Sequence, residues 1–322
     1  VVARQAGVSA DQLTFTSGGT EANALAMLGV AGRRRAPGHV LVSTVEHPSV
    51  GATASLLEQR HGHSVERVPV RPDGAVKPER VERMLRPDTF LVAVMHVNNE
   101  TGVVQPVDRI AELVHRARPD CLVLADAVQS FATLSTRLPR LGVDLLTASA
   151  HKLHGPKGVG CLVRRRGVEL APLWGGGGQE AGLRPGTENM AGIVGFARAV
   201  ELCGESDPER TRTGLDRLVR AARRARGDVY EIGDPSRRAP HITCLGLPGL
   251  PTEALVNLLE ARGVCASSGS ACHSRRSLRS HVMEAMGVPR THGVLRLSLG
   301  HTTTDAQIEA AARALTRCLG EL

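Results

Sequence analysis

Aromatic side chains are scarce in this sequence of 322 residues, since phenylalanine, tryptophan and tyrosine together make up only 2%. Proteins that bind single-stranded nucleic acid stack bases on such side chains, so a surface of that kind is not expected here. Long apolar runs are also missing. The most apolar run, Leu91–Val97, has the length of one strand and not the roughly 20 residues of a transmembrane helix. Because 42% of the residues are hydrophobic and 22% are charged, the composition indicates a globular protein.

Lysine is almost absent. Of the 40 basic residues, only Lys77, Lys152 and Lys157 are lysines, so chemistry that needs an amine has three candidates. The net charge of +8 comes from arginines. Such a charge is typical either of a surface for nucleic acid or an acidic partner, or of a solvated, arginine-rich surface. The arginines are scattered in short clusters, which favours the solvated surface.

The seven cysteines form no CxxC pair and are odd in number. This pattern predicts neither a disulfide framework nor a metal site, and it favours a reducing, cytoplasmic location. Cys121, Cys161 and Cys265 lie in strand-like runs, where a buried structural role is expected. The sequence begins at Val1 without methionine or signal peptide, which indicates a piece of a longer protein.

Strand-like and helix-like segments alternate over the first two thirds of the chain. This alternation predicts an α/β fold with a mostly parallel sheet and helices on both faces, and with ligands at the carboxyl ends of the strands. The predicted strands are Leu13–Thr16, Val40–Ser43, Val65–Val70, Phe90–Val97, Leu122–Ala127, Val143–Ala148 and Gly160–Val163. The predicted helices are Glu21–Val30, Val50–Arg60, Pro78–Leu85, Val107–Arg116 and Asn189–Leu202.

The last third contains fewer strands and more helical pattern, with a break at Gly204–Pro208. We therefore predict two domains, a large one over 1–203 and a smaller α+β domain over 204–322. Strands are predicted at Val229–Ile232, Ile242–Leu245, Val264–Ala266 and Leu295–Leu299, and helices at Glu253–Arg262, Ser277–Met286 and Thr304–Leu319.

Lys152 follows a predicted strand within the run Ser149-Ala150-His151-Lys152. A lysine at the mouth of a parallel sheet is well placed to form a Schiff base with a carbonyl cofactor. The alternative is an ordinary surface lysine at the end of a strand.

Asp126 ends a hydrophobic strand and is followed by Gln129. A carboxylate in such a position needs a cation or a donor as partner. A pyridinium nitrogen would serve, and so would the first amides of a helix that Asp126 caps.

Two further loops follow predicted strands. Thr16-Ser17-Gly18-Gly19-Thr20-Glu21 combines small residues and hydroxyls at a helix start, which is typical of a phosphate cradle but equally of a capped glycine turn. His47 lies in Glu46-His47-Pro48 and is either a cleft residue or an ordinary loop histidine.

Two residues of the last third are chemically conspicuous. Cys272 lies in a loop of small residues close to Arg275 and Arg276, which would favour its thiolate. Arg296 lies inside an apolar strand, where an arginine usually has a carboxylate partner.

Eight motifs in one order extend over nearly the whole chain: TFTSGGTEAN, EHPSV, HVNNETG, DAVQS, SAHKLHGPKGVG, GGGGQEAGLRPGTEN, SSGSACHS and LRLSLG. With them the chain resembles the cysteine desulfurases, which are pyridoxal-phosphate enzymes of the class V aminotransferase group. The resemblance implies the type I aminotransferase fold, with a mostly parallel seven-stranded sheet and a smaller C-terminal domain. The family's N-terminal segment, with its N-A-T-T-type turn, is expected to precede this piece.

The resemblance also implies a role for each site residue. Lys152 would be the Schiff-base lysine, Asp126 the partner of the pyridine nitrogen and Gln129 that of the ring hydroxyl. His47 would stack on the ring and transfer protons, and Asn99 would lie beside cofactor and substrate. The phosphate ligands would be Gly19, Thr20, Ser149, His151 and, from the other subunit of a homodimer, Thr187. Arg296 would bind the substrate carboxylate.

The implied reaction converts L-cysteine to L-alanine and leaves the sulfur on Cys272 as a persulfide. Cys272 would lie on a mobile loop and pass the sulfur to an acceptor or iron–sulfur scaffold protein. A selenocysteine lyase is the nearest alternative, and other class V enzymes would keep Lys152 and Asp126 without needing Cys272. From another class, a basic nucleic-acid-binding or scaffold protein would use the arginine-rich surface.

Overall fold

The computed structural model of the chain describes residues 1–204, 207–268 and 279–322. Its contacts divide the chain into two compact units. The first comprises Val1–Pro69, Val76–Val97 and Gln105–Glu205, and the second comprises Val70–Ala75, Asn98–Val104 and Ser206–Leu322. None of the described helices is both long and apolar enough to cross a membrane.

The first unit is built on a seven-stranded sheet in the order β1-β7-β6-β5-β4-β2-β3. The strands are β1 Leu13–Thr16, β2 His39–Ser43, β3 Ser64–Val68, β4 Thr89–Ala93, β5 Leu122–Asp126, β6 Leu145–Ser149 and β7 Gly160–Arg164. β7 pairs antiparallel with both β1 and β6, while the pairs among β2 to β6 are parallel. Since only β7 runs the other way, the loops after β1, β2, β5 and β6 all leave the same edge. The predicted mostly parallel sheet is confirmed.

The helices of the first unit are α1 Val2–Ala6, α2 Gly19–Ala31, α3 Pro48–His61, α4 Pro78–Met84, α5 Val107–Ala117, α6 Leu138–Leu141 and α7 Met190–Gly204. In α5 the buried residues Val107, Ile110, Ala111 and Val114 recur every three or four positions, which is the spacing of one helix face. Strands β2 and β4 are buried along their whole length and consist largely of valine, leucine and alanine. The core is therefore aliphatic, as the low aromatic content requires.

The second unit has a three-stranded antiparallel sheet in the order β10-β9-β8. Its elements are α8 Pro208–Ala225, β8 Tyr230–Glu231, β9 Ile242–Pro248, α9 Thr252–Glu260, α10 His281–Ala285, β10 His292–Ser298 and α11 Asp305–Glu321. Helix α8 and helix α11 enclose a leucine-rich core with this sheet. Gly246 must be a glycine, because a Cβ there would lie 2.3 Å from the Tyr230 ring.

In the second unit the sequence analysis missed one helix and predicted one strand that is not there. Helix α8 was not predicted, although Asp207 caps it by accepting from the Glu209 N–H at 2.9 Å and Pro208 opens it. The predicted strand Val264–Ala266 is wrong, because only the neighbouring Ser267 forms a bridge, with Arg296. Cys265 is consequently exposed and not a buried structural residue, whereas Cys121 and Cys161 are buried as expected.

Candidate functional site

The loop between β1 and α2 places a helix N-terminus at the carboxyl edge of the sheet. Gly18 caps α2, Gly19 is buried and Thr20 is exposed. A Cβ on Gly19 would lie 2.6 Å from Cγ2 of Val128, so only glycine lets the helix start approach the loop after β5. The first N–H groups of a helix lack intrahelical partners and point towards an anion.

Ser149 ends β6, and His151 and Lys152 follow it in a short 3₁₀ helix, Ala150–Leu153. Oγ of Ser149 and Nδ1 of His151 are hydrogen-bonded at 2.8 Å. Burial lowers the pKa of His151, and the positive charges of Lys152 and Lys157 lower it further. His151 and Lys152 are both exposed, which leaves the amine accessible.

Asp126 ends β5 and is only 4% exposed. Its Oδ1 accepts from the Val128 N–H at 3.0 Å, and its Oδ2 accepts from Nδ2 of Asn23 at 2.8 Å. Among the described residues, no lysine or arginine pairs with this carboxylate. The capping alternative is met only in part, since the residues after Asp126 form a turn and no helix. A buried carboxylate with spare lone pairs suits a cationic ligand.

His47 and Asp126 are joined through two residues that the sequence analysis did not single out. Nδ1 of His47 lies 2.8 Å from Oγ of Ser49, which accepts from Nδ2 of Asn23 at 2.9 Å. Oγ1 of Thr147 donates to Oδ1 of Asn23 at 2.7 Å. Asn23 is the last residue of the motif TFTSGGTEAN and the fifth residue of α2. This polar residue within the helix was the signal by which the sequence could have identified it as a site residue.

The first unit contains two further buried titratable groups, Glu46 directly before His47 and His96 in the segment after β4. Burial raises the pKa of Glu46 to about 8, against hydrogen bonds from Oγ of Ser43 and the N–H of Met95. Burial lowers the pKa of His96 to about 4, and Nδ1 of His96 lies 2.9 Å from Oγ of Ser130. Burial therefore favours the uncharged form of both side chains.

In the second unit, the structure brings Arg296 and Asn99 together. Nη1 of Arg296 donates to the backbone carbonyl of Asn99 at 2.9 Å. No carboxylate of the described residues forms an ion pair with Arg296, so the expected internal partner is not found there. A half-buried guanidinium in this state can bind a carboxylate ligand in a bidentate manner.

The remaining predicted residues are not drawn into these networks. Gln129 is half-buried in the turn after β5, and Thr187 is exposed in the segment before α7. That segment is tied to the rest of the first unit, because Nε of Arg184 binds Oε1 of Glu21 at 2.9 Å. Cys272 lies outside the described residues.

The side chains of the first unit fit pyridoxal phosphate. The phosphate can be held by the start of α2 at Gly19 together with Ser149 and His151. A Cβ on residue 19 would occupy the space at this helix start. The buried carboxylate of Asp126 can hold a protonated pyridine nitrogen, and Lys152 offers the amine.

Comparisons with known proteins agree with this assignment. The family model for aminotransferase class-V matches residues 1–311. A cysteine desulfurase from Cereibacter sphaeroides is 42% identical over 319 residues, which are 98% of this chain and 82% of that protein.

Solved structures give the same result. A NifS-like protein has a TM-score of 0.91 and 34% identity, and the match covers 100% of this chain and 86% of that one. The structure of SspA in complex with cysteine has a TM-score of 0.82 and 31% identity, and the match covers 94% of this chain and 85% of that one. The chain belongs to the aminotransferase class-V family and, within it, to the cysteine desulfurases, which are pyridoxal-phosphate-dependent sulfurtransferases.

Proposed function

We propose that this chain removes the sulfur of L-cysteine, releases L-alanine and carries the sulfur as a persulfide on Cys272. The observation that carries the proposal is Asp126, a buried carboxylate that has two N–H donors and no cationic partner among the described residues. Pyridoxal phosphate, when bound, supplies an aldehyde that condenses with amines and a ring that takes up electrons.

Lys152 provides the amine for the cofactor and afterwards the base. It is exposed at the end of β6, where its Nζ can hold and then release the Cα proton of the substrate. Burial and the positive charges of Lys152 and Lys157 lower the pKa of the neighbouring His151, so a further positive charge on His151 is disfavoured. His151 then serves as a hydrogen-bond partner of the phosphate, together with Ser149, Gly19 and Thr20.

Asp126, Gln129 and His47 orient the ring. The negative charge of Asp126 favours a proton on the pyridine nitrogen, Gln129 bonds the ring hydroxyl, and His47 stacks on the ring and moves a proton. Burial strengthens the interaction of Asp126 with its partner, since the local dielectric constant is lower than in water.

Arg296 binds the carboxylate of L-cysteine, with Asn99 beside the substrate. The bond from Arg296 to the Asn99 carbonyl holds the guanidinium while it leaves further N–H groups for the ligand. The structure of SspA with bound cysteine, a relative at 31% identity, supports cysteine as the ligand.

Cys272 accepts the sulfur. Its thiolate attacks the substrate sulfur, so that an S–S bond forms while the Cβ–S bond breaks. The electron pair of that bond passes to Cβ, which then takes up a proton and leaves as the methyl group of alanine. Arg275 and Arg276, close in sequence, favour the thiolate.

A homodimer and a sulfur-accepting protein complete the proposal. Helix α7 exposes Met190, Val194 and Leu202, which lie at helical spacing, and Val194 is 64% exposed. An apolar helix face of this kind suits a second copy of the chain, to which Thr187 would contribute a phosphate ligand. The acceptor belongs to an iron–sulfur scaffold or another thio-cofactor system. The buried free thiols are consistent with a reducing, cytoplasmic location.

The test measures alanine released from L-cysteine and from L-selenocysteine by protein loaded with pyridoxal phosphate in the presence of a thiol reductant. We expect alanine from L-cysteine. In Cys272→Ser we expect an unchanged cofactor spectrum, no turnover of cysteine and, when the reductant is left out, no persulfide. Alanine from selenocysteine alone would identify a selenocysteine lyase. Persulfide that persists in Cys272→Ser would contradict the role of Cys272.

A further inference from the structure

A continuous chain of hydrogen bonds connects His47 with Asp126 inside the first unit. It passes from Nδ1 of His47 to Oγ of Ser49 at 2.8 Å, and from there to Nδ2 of Asn23 at 2.9 Å. The same Nδ2 reaches Oδ2 of Asp126 at 2.8 Å. Because Ser49 is 9% and Asn23 is 1% exposed, water competes little for these bonds.

The chemistry of the groups determines the direction of every bond in this chain. Oδ2 of Asp126 can only accept, so the amide nitrogen of Asn23 must face it, and the amide oxygen on the other side accepts from Oγ1 of Thr147 at 2.7 Å. One N–H faces the Asp126 carboxylate, which can only accept, and the other faces Oγ of Ser49. The Ser49 hydroxyl, which accepts from Asn23 through one lone pair, keeps its own proton to donate to Nδ1 of His47.

A second donor reaches the same nitrogen of His47. The backbone N–H of Ser49 donates to Nδ1 at 3.1 Å, and the His47 side chain thereby caps α3. A backbone N–H can only donate, so Nδ1 must be the unprotonated nitrogen, and the neutral ring carries its proton on Nε2.

We propose that Asn23 and Ser49 are positioning residues of the cofactor site. They hold His47 as the tautomer with the proton on Nε2 and hold Asp126 in one orientation. The assignment rests on the proposed function for the roles of His47 and Asp126. The single amide of Asn23 thereby links the ring that stacks on the cofactor to the carboxylate that binds its nitrogen.

Asparagine is well suited to this place. One end of the amide must donate twice and the other must accept once, which no hydroxyl, carboxylate or apolar side chain can do. An aspartate at position 23 would set an acceptor against Asp126, and an alanine would leave Asp126 without one of its two donors.

The first test reads the His47 ring by ¹⁵N NMR in histidine-labelled protein, both free of cofactor and loaded with pyridoxal phosphate. His47→Gln serves only to assign the signals among the 13 histidines. We expect Nδ1 of neutral His47 to give the signal of an unprotonated acceptor nitrogen, and Ser49→Ala and Asn23→Ala to shift it. Ser55→Ala is the matched control, because Oγ of Ser55 bonds the Gly51 carbonyl of the same helix and no other group of the described residues.

The second test measures the affinity of the cofactor-free protein for pyridoxal phosphate. Asn23→Ala removes a donor to a charged group and should weaken binding roughly 10-fold, while Ser49→Ala should weaken it about 3-fold. The double variant should bind about as weakly as Asn23→Ala alone, because both changes break the same chain of bonds. Ser49→Thr restores the hydroxyl and should restore both the affinity and the NMR signal.

A proton on Nδ1 of His47 in the unmodified protein would overturn the proposal, as would additive effects of the two variants or an equal effect of Ser55→Ala. If Asn23→Ala does not fold, Ser49→Ala and Ser49→Thr decide the question. Neither test uses turnover of cysteine, so a failed desulfurase assay would leave this result readable on its own.

Discussion

The two units hold their functional side chains in different ways. In the first unit, Asp126, Asn23 and Ser49 satisfy each other through buried hydrogen bonds, so the cofactor groups are fixed before any ligand arrives. In the second unit, the guanidinium of Arg296 donates to the Asn99 carbonyl and has no carboxylate partner among the described residues. Under the proposed function, the first arrangement is a preorganised cofactor site and the second is a substrate contact that the substrate itself completes.

The largest effect is expected from Lys152→Ala, which removes the amine that follows β6 in the first unit. Alanine release from L-cysteine should fall by roughly 10⁴-fold or more, because no other group replaces a nucleophile and base of this kind. Lys157→Ala, which changes another exposed lysine of the same loop, should retain activity within about 2-fold. Equal losses in both variants would show that the charge of the loop, and not the amine of Lys152, is required.

The second largest loss of activity is expected from Asp126→Asn. The substitution removes the negative charge that favours a protonated pyridine nitrogen, so kcat should fall by about 10³-fold, the upper range for loss of one preorganised electrostatic partner. An asparagine can also accept from only one of the donors Asn23 and Val128 at its oxygen. The cofactor spectrum should therefore change together with kcat, and an unchanged spectrum with full activity would refute the role.

Arg296→Lys tests the second unit in the same way. A lysine cannot hold a carboxylate in a bidentate manner, so KM for L-cysteine should rise roughly 10- to 100-fold while the cofactor spectrum stays the same. Arg290→Lys is the control, since Arg290 is exposed and pairs with Glu284 at 3.0 Å. A change of the spectrum in Arg296→Lys, with KM unaltered, would show that Arg296 contacts the cofactor and not the substrate.

The last prediction concerns stability and not activity, through Glu46 in the first unit. Its pKa of about 8 in the folded chain lies above the usual 4.5, so the folded state keeps a proton that the unfolded state releases. The free energy of unfolding should therefore fall as pH rises from about 4.5 to 8, by at most roughly 1.4 kcal/mol per pH unit.

Thermal unfolding between pH 6 and pH 9 measures this slope. Glu46→Gln keeps an acceptor for Ser43 and Met95 and cannot ionise, so its melting temperature should vary less over that range. The same slope in both proteins would mean that Glu46 does not titrate in the folded state.

His96 acts in the opposite sense at lower pH: because its folded pKa is about 4, stability is lost as pH falls below about 6.5.

Much of the first unit could be predicted because its signals are local. Strand β1 was predicted with its observed bounds, and α2 and α3 within two residues at each end, since apolar runs and glycine turns delimit them. The predicted strand Phe90–Val97 was too long, as β4 ends at Ala93. The residues beyond it are just as apolar and buried, so hydrophobicity alone could not locate the end of the pairing.

The second unit was harder to predict. Helix α8 carries many arginines, which weakened its apolar pattern, although Leu215, Leu218, Val219 and Ala222 form a buried stripe. The segment around Cys265 has strand-like residues, yet it pairs only through Ser267, because pairing needs a partner edge that the local sequence does not specify.

The sequence by itself determined the alternating α/β pattern, the family, the cofactor class and the short set of candidate residues, because each depends on residue types and their order along the chain. Only the tertiary structure decided that β7 runs against its neighbours, that Arg296 meets a backbone carbonyl, and that Asn23 joins Ser49 to Asp126. Those contacts link residues up to 197 positions apart in the chain. Distance, burial and bond direction arise from packing, and no local pattern of side chains contains them.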